Sequence, residues 1–243
     1  MRVYFILLLI SLSRVMIGQT YVDIPWREGV ISMNNQELAG MIRLGGDLGA
    51  PWLNHHKVYF VTNEAFAAAK SHPGNKVIEE YKPEDVQGYS TFTEDAEKIR
   101  IDLHFISGEV TYMDGLAKKK QVVFLQVLDT GNVHIYKYIP MAEKESSSQM
   151  QYEAGQRALL ASTIYFKKGE SAFLSAAQTE IADLVAECPE VVSKVKAGSY
   201  GFADLSQRTK KKGLGGLISS QAGDNDLEEK ICISIKEYNA CVK

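Results

Sequence analysis

Apolar and polar residues alternate over much of this chain, and a period of two is typical of β-strands with one buried face. The alternation is strictest from Ile99 to Phe105. There Asp102 and His104 fall together on the predicted solvent-facing side. Similar apolar stretches predict six further strands: Glu37–Leu44, Lys57–Thr62, Lys76–Tyr81, Gln121–Leu128, Asn132–Ile139 and Ala158–Phe166.

From Gly169 the spacing of apolar residues changes to about 3.6, which predicts helices. Glu143–Gln151 is polar and rich in serine, which predicts a loop. Strands followed by helices, without regular alternation of the two, predict an α+β fold. We expect a mainly antiparallel sheet in the N-terminal two-thirds, followed by a helical C-terminal cap. The predicted helices are Glu64–Ser71, Phe173–Cys188, Val191–Gly198 and Leu227–Asn239.

The N-terminus has the composition of an export signal: a basic start at Arg2, an apolar run from Val3 to Leu12, and a cut expected near Gly18. Met16 is larger than the residue usually found three before a cut, so an uncleaved signal and a buried first strand stay open as alternatives. The run is about ten residues, short of the roughly 18 needed to cross a membrane. We expect a signal peptide over 1–18, a β-rich domain over 19–168 and a helical region over 169–243.

Composition and charge narrow the class of protein. The chain is 45% hydrophobic and 23% charged, as in ordinary globular proteins. Loss of Arg2 and Arg14 with the signal changes the formal net charge from −3 to −5, which argues against a nucleic-acid partner. The lysine runs at 118–120 and 210–212 are expected to be solvated loop charge. No second apolar stretch has membrane length, so we expect no transmembrane span in the mature chain.

Three cysteines follow the predicted signal, and an oxidising compartment favours one bridge and one spare thiol. Cys232 lies in an apolar segment that is typical of a small buried thiol. Cys188 and Cys241 each lie at the edge of a predicted helix. These positions favour a bridge between Cys188 and Cys241, with Cys188 to Cys232 as the rival pairing.

Candidate chemistry is sparse, and the sequence nominates no catalytic, cofactor-binding or metal-ligating residue. His55 and His56 lack neighbours at metal-ligand spacing, and surface or loop positions beside Trp52 are expected for them. Asp102 and His104 would need a nucleophile from elsewhere, and no G-x-S-x-G motif supplies one. The glycines at 213–216 lack the Gly-Lys-Ser/Thr ending of a phosphate loop.

Six short segments, taken in order, resemble a family of uncharacterised exported proteins of Bacteroidetes-type bacteria. They are KVYFVTN, YKPEDVQGY, FLQVLDTGNVHIYKY, TIYFKKGESAF, AECPEVVSKVKAGSYGFADL and KEYNAC. The resemblance spans about Leu38 to Cys241. It implies a sheet with the Phe124–Tyr138 hairpin in its middle, and it supports the pairing of Cys188 with Cys241. The chain departs from the family at Lys210–Gly223, and the resemblance implies no activity.

Export and the lack of a catalytic constellation favour a non-catalytic binding or structural component of the bacterial cell envelope. Trp52 and Tyr89, expected to be exposed near loops, would suit such a surface. The expected partner is another envelope protein or a glycan, with the protein in the periplasm, associated with the outer membrane, or secreted. The alternative is a periplasmic hydrolase of polysaccharide or peptide that uses Glu84, Asp85, Asp102 and His104.

Overall fold

The computed structural model describes residues 24–46, 50–70, 72–94, 98–114, 117–176, 179–201 and 227–242. The strands are β1 Arg27–Met33, β2 Gln36–Leu44, β3 Val58–Thr62, β4 Glu79–Tyr81, β5 Gly88–Glu94, β6 Arg100–Asp114, β7 Ala117–Asp129, β8 Val133–Tyr138, β9 Thr163–Lys168 and β10 Leu174–Ser175. The helices are a 3-10 helix Pro51–His55, α1 Asn63–Ala68, α2 Ser148–Leu160, α3 Ile181–Leu184, α4 Pro189–Lys196 and α5 Leu227–Cys241.

All ten strands belong to one sheet, in the order β10-β9-β8-β7-β6-β5-β1-β2-β3-β4. Two meanders, β1 to β4 and β5 to β10, are joined where β1 pairs with β5, and Ile31 lies opposite Tyr89. Every neighbouring pair is antiparallel. The mainly antiparallel, strand-rich α+β arrangement predicted from the sequence is therefore confirmed. The domain boundary at residue 168 stays a prediction.

The alternation pattern misses β1 and β5 because little of their buried surface is apolar. In β1 only Ile31 is fully buried, and the buried face of β5 carries Thr91 and Thr93 beside Tyr89. Threonine suits a strand but hides the hydrophobic period on which the prediction depends. Both strands lie in the middle of the sheet, so the prediction missed the junction between its two halves.

The loop predicted over Glu143–Gln151 is confirmed as far as Ser147 and wrong from Ser148, where α2 begins. Ser147 caps this helix, and its hydroxyl accepts a hydrogen bond from the N–H of Met150 at 3.2 Å. Only small residues of α2 are buried, so the apolar periodicity is weak. The strand predicted from Ala158 consequently begins later, at Thr163, and the helix predicted from Phe173 is wrong at its start, where Leu174 pairs with β9.

The C-terminal helices pack on one end of the sheet. Val133, Ile135 and Phe166 of β8 and β9 form a core with buried residues of α3, α4 and α5. A disulfide joins Cys188 to Cys241, with the two Cα atoms 6.2 Å apart, so the favoured pairing is confirmed and the rival is excluded. Cys232 is a free, half-buried thiol whose pKa burial raises to about 11.

Asn239 attaches α5 to the hairpin between β7 and β8. Its side-chain oxygen accepts from the N–H of Val133 and its amide donates to the carbonyl of Val133, both at 2.9 Å. The side chain therefore pairs with the backbone as a neighbouring strand would. Gly131 leaves room for it, because a Cβ at residue 131 would lie 2.4 Å from the Asn239 amide.

Several sequence predictions fall outside the described residues. They are the signal peptide over 1–18, the lysine run at 210–212, the glycines at 213–216 and the Lys210–Gly223 insertion. Over the ranges that the structure does describe, no helix is long and apolar enough to cross a membrane.

Candidate functional site

A groove of about 970 Å³ runs across one face of the sheet, over five neighbouring strands. It is lined in turn by β2, β1, β5 and β6, and it ends against the last residues of β7. Neighbouring strands lie about 4.8 Å apart, so the part from β2 to β6 alone spans roughly 14 Å. The volume is at the upper end of the roughly 300–1,000 Å³ typical of ligand sites. The groove is therefore long enough for a chain-like ligand.

The floor of the groove depends on Gly29 and Gly40, which lie directly opposite each other in β1 and β2. A Cβ at residue 29 would lie 2.4 Å from the carbonyl oxygen of Ser90, closer than atoms tolerate. Glycine at this position thus permits β1 to pair closely with β5. The close pairing keeps the floor continuous between the two meanders.

Ser90 and His104 meet in the middle of the groove. They are partners in the β5–β6 ladder, and the Ser90 hydroxyl and His104 Nδ1 share a hydrogen bond of 2.5 Å. Partial desolvation lowers the pKa of His104, while the charge of Glu37 raises it. The ring is therefore neutral at pH 7, and its Nδ1 is able to accept a proton from the serine hydroxyl.

The charged residues that line the groove are three carboxylates, those of Glu28, Asp102 and Asp129, and one guanidinium, that of Arg100. Arg100 Nε donates to Asp102 Oδ1 at 2.7 Å, and the guanidinium lies 4.1 Å from the centre of the Phe92 ring. This pair is mostly exposed, so it contributes little to stability. The lining carries a formal excess of negative charge.

At its far end the groove reaches the point where β6 and β7 separate. Their paired residues run from Asp114–Ala117 to Phe105–Gln126 and stop there. Beyond this point β7 pairs only with β8, through a β-bulge between Val127 and Asp129. A bulge bends its strand and increases the local twist, which turns the end of β7 away from β6.

The four residues of the predicted hydrolase do not line one site. Asp102 and His104 line the groove, but Glu84 and Asp85 are not among its lining residues. Asp85 Oδ2 accepts from the backbone N–H of Lys82 at 2.8 Å in the turn before β5, which is a structural role. Glu84 instead lies near His56. Desolvation lowers the pKa of His56, and the negative charge of Glu84 raises it by a smaller amount.

The expectation of a surface position for His55 is wrong. Its side chain is only 1% exposed and packs between the rings of Phe105 and Tyr138. Its Nδ1–H donates to the carbonyl of Phe124 at 2.7 Å, and burial lowers its pKa to about 3. This is a neutral core histidine. No cluster of potential metal ligands occurs among the residues that the structure describes.

Trp52 and Tyr89 are also buried, contrary to prediction, and so offer no binding surface. The Trp52 ring covers Gly155 of α2, and the Tyr89 hydroxyl donates to the Asn54 carbonyl at 2.8 Å. Tyr89 ends the segment YKPEDVQGY, in which the Gln87 side chain accepts from the backbone N–H of Asn35 and donates to Asn35 Oδ1. The segment thus fastens the β1–β2 turn and the 3-10 helix to the sheet.

Ser90 is the functional candidate that sequence reasoning missed. The strictly alternating strand indicated that Asp102 and His104 share a face, but the partner strand was not predicted. Once β5 is recognised, its antiparallel register places Ser90 directly opposite His104. Comparison of the chain with protein-family models, with curated proteins and with solved structures finds no match.

Proposed function

We propose that this protein is an exported, non-catalytic binding component of the bacterial cell envelope, and that its ligand lies along the groove. The observation that carries the proposal is the continuous groove over five strands. The ligand is a chain-like molecule, either a segment of another envelope protein or a glycan. A groove that crosses strands contacts several repeating units of such a polymer at once.

The lining suits a ligand with both polar and apolar parts. Ser90, Asp102 and His104 present hydrogen-bonding groups, whereas Val30 presents apolar surface. Sites of this kind bind through apolar contact and obtain orientation from a few polar groups. The buried Trp52 and Tyr89 play no part in this version of the proposal.

The direct test blocks the groove. Ala39 is an exposed lining residue of β2, and Ala39→Trp would fill the adjacent space. The matched control is Ala161→Trp, at an exposed position after α2. Oligosaccharides and extended peptides are screened by calorimetry, and any true ligand should bind at least about tenfold more weakly to the Ala39 variant only. Equal binding to both folded variants would remove the groove from the proposal.

The disulfide supports the export part of the proposal. A disulfide between residues 53 apart in sequence is typical of an oxidising compartment. Intact mass and N-terminal sequencing of protein from fractionated cells test the predicted cut near Gly18. A full-length chain in the reducing cytoplasm, with Cys188 and Cys241 as thiols, would contradict export.

The contact between Ser90 and His104 favours a second candidate, a hydrolase. The Ser90 hydroxyl would attack an acyl carbonyl carbon while its proton passes to His104 Nδ1. The bond from that carbon to the alcohol or amine of the substrate would then break, and the leaving group would depart with the proton from His104. Water, losing a proton to His104, would hydrolyse the resulting Ser90 ester to a carboxylic acid and restore the serine hydroxyl. A fluorophosphonate probe should then label wild type and the control Ser146→Ala, but not Ser90→Ala. Absence of labelling in the folded wild type would count against this candidate and leave the binding function in place.

A further inference from the structure

We propose that the opening between β6 and β7 accepts an extended cationic peptide segment as an added β-strand. The inference rests on the proposed function and specifies the partner of the same groove. It depends on three observations: the β6–β7 ladder stops early, the backbone groups of Asp102 and His104 point toward the opening, and the lining is acidic.

The first observation is the unfinished ladder. If the pairing of Phe105 with Gln126 continued, His104 would lie opposite Val127, but these two residues are not partners. The bulge in β7 has Leu128 as its extra residue and turns the strand toward β8. Five residues of β6 therefore pair with β5 on one side and have no ladder partner on the other within the described residues.

The second observation concerns where the backbone groups point. Successive residues of an antiparallel strand direct their N–H and C=O groups to alternate sides. Ser107 donates its N–H to the Gln87 carbonyl, on the β5 side, at 2.8 Å. Because the direction alternates along β6, the odd-numbered residues direct their groups to β5, and Asp102 and His104 direct theirs to the β7 side. An unpaired strand edge of this kind is a template for another strand, and a peptide placed in the opening would pair with the Asp102 and His104 backbone of β6.

The third observation is charge. Beside the opening, Asp102 and Asp129 lie on opposite walls, and Glu28 lies further along the groove. Arg100 also lines the groove and donates to Asp102, so the three carboxylates leave a formal excess of negative charge over this one guanidinium. Side chains of an added strand alternate between the two faces of the sheet. Lysine or arginine at every second position would face these carboxylates. Apolar side chains at the positions between them would face Leu103 and Leu128, which are partly buried at the walls.

The probe is a capped heptapeptide of alternating lysine and valine. It is compared with the same peptide carrying N-methyl groups on alternate amides, and with a glutamate–valine version. N-methylation removes the donors on one edge and keeps the side chains, so affinity should fall about tenfold or more if backbone pairing contributes. The glutamate peptide should bind weakest, because its charge opposes that of the groove.

Amide hydrogen exchange of the whole protein, followed by NMR, locates the contact. Binding of the lysine–valine peptide should slow exchange at the amides of Asp102 and His104. The amides of Ile101 and Leu103, which face β5, are the internal reference. Double substitution of Asp102 and Asp129 by Asn should weaken binding about tenfold and reduce its salt dependence, whereas Asp183→Asn on α3 should not.

Each other outcome overturns the inference. If methylated and unmethylated peptides bind equally while groove residues shift, the groove binds peptides by side chains and strand addition is wrong. If neither peptide binds at about 1 mM, or only a glycan does, the cationic partner is wrong, and the groove-blocking variant still decides the proposed function. Protection confined to residues outside the groove refutes the site itself.

Discussion

The buried His55 makes this protein less stable in mild acid. The imidazole lies in the core, where burial lowers its pKa from 6.5 to about 3. In the unfolded chain the ring regains its ordinary pKa and takes up a proton as the pH falls below 6.5. The native ring does not, so acidification favours the unfolded state.

The size of this effect follows from the two pKa values. As the pH falls from 8 to 5, the unfolded ring is protonated below its ordinary pKa of 6.5, that is, over about 1.5 pH units. Over each of these units the free energy of unfolding falls by about 1.36 kcal/mol. We expect His55 to lower the free energy of unfolding by about 2 kcal/mol over this range. The stability is complete above pH 6.5 and is lost progressively toward pH 3. His56, whose pKa is also lowered, adds to the loss in the same direction.

The assay is urea denaturation at a series of pH values, for wild type and for His55→Gln. Carboxylates titrate in both proteins, so the difference between the two curves isolates His55. The matched control is His72→Gln, an exposed position before β4. NMR of the His55 ring supplies an independent readout, because its signals should not shift down to pH 5 while the protein stays folded.

Two results would refute this reasoning. One is a native His55 signal that titrates near pH 6.5, which would mean that water or a rearranged core solvates the ring. The other is a difference curve between wild type and His55→Gln that is flat from pH 8 to pH 5. Either would show that burial does not outweigh the hydrogen bond to the Phe124 carbonyl, which by itself raises the pKa of the ring.

Three further predictions concern the framework that holds the groove. Replacing Cys188 and Cys241 by Ser should lower the free energy of unfolding by about 4 kcal/mol on the chain-entropy model for a loop of 53 residues, whereas Cys232→Ser should cost far less; equal losses in urea melts would contradict this. Asn239→Ala should lower the free energy of unfolding by about 2–3 kcal/mol, because it leaves the N–H and C=O of Val133 unpaired in the core. The control is Asn132→Ala at an exposed position. Equal melting temperatures of the two variants would show that water replaces the Asn239 amide. Gly155→Ala should lower the free energy of unfolding by about 1–3 kcal/mol, because its Cβ would lie 2.5 Å from the Trp52 ring. The control Gly74→Ala has open space around it and should be neutral or slightly stabilising. Equal stability of the Gly155 variant and wild type in urea melts would mean that α2 shifts to accommodate the methyl group.

The helix α2 illustrates the limit of periodicity as a predictor. Its buried face consists of Ala154, Gly155 and Ala158, because only small residues fit against Trp52. Small residues carry a weak hydrophobic signal, and the polar remainder predicted a loop. The cap at Ser147 and the Gln-, Glu- and Ala-rich composition were the available signals for a helix.

The sequence by itself determined strands such as β6, β7 and β8, the helical C-terminus and the favoured cysteine pair. Each depends on local order: alternation along β6 and β8, a period near 3.6 around Ile181 and Val195, and cysteines at the edges of predicted helices. Such patterns are visible because the residues that share a buried face are close together in the chain.

Only the tertiary structure decided where the candidate site lies. Ser90 meets His104 because of the β5–β6 register, and the groove exists because β1 joins two meanders that are separate in sequence. The opening beside Asp102 depends on a bulge in β7, which no alternation predicts. These features are set by pairing between strands that are distant in sequence. The free energy of that pairing depends on side chains from both strands, so neither segment predicts it alone.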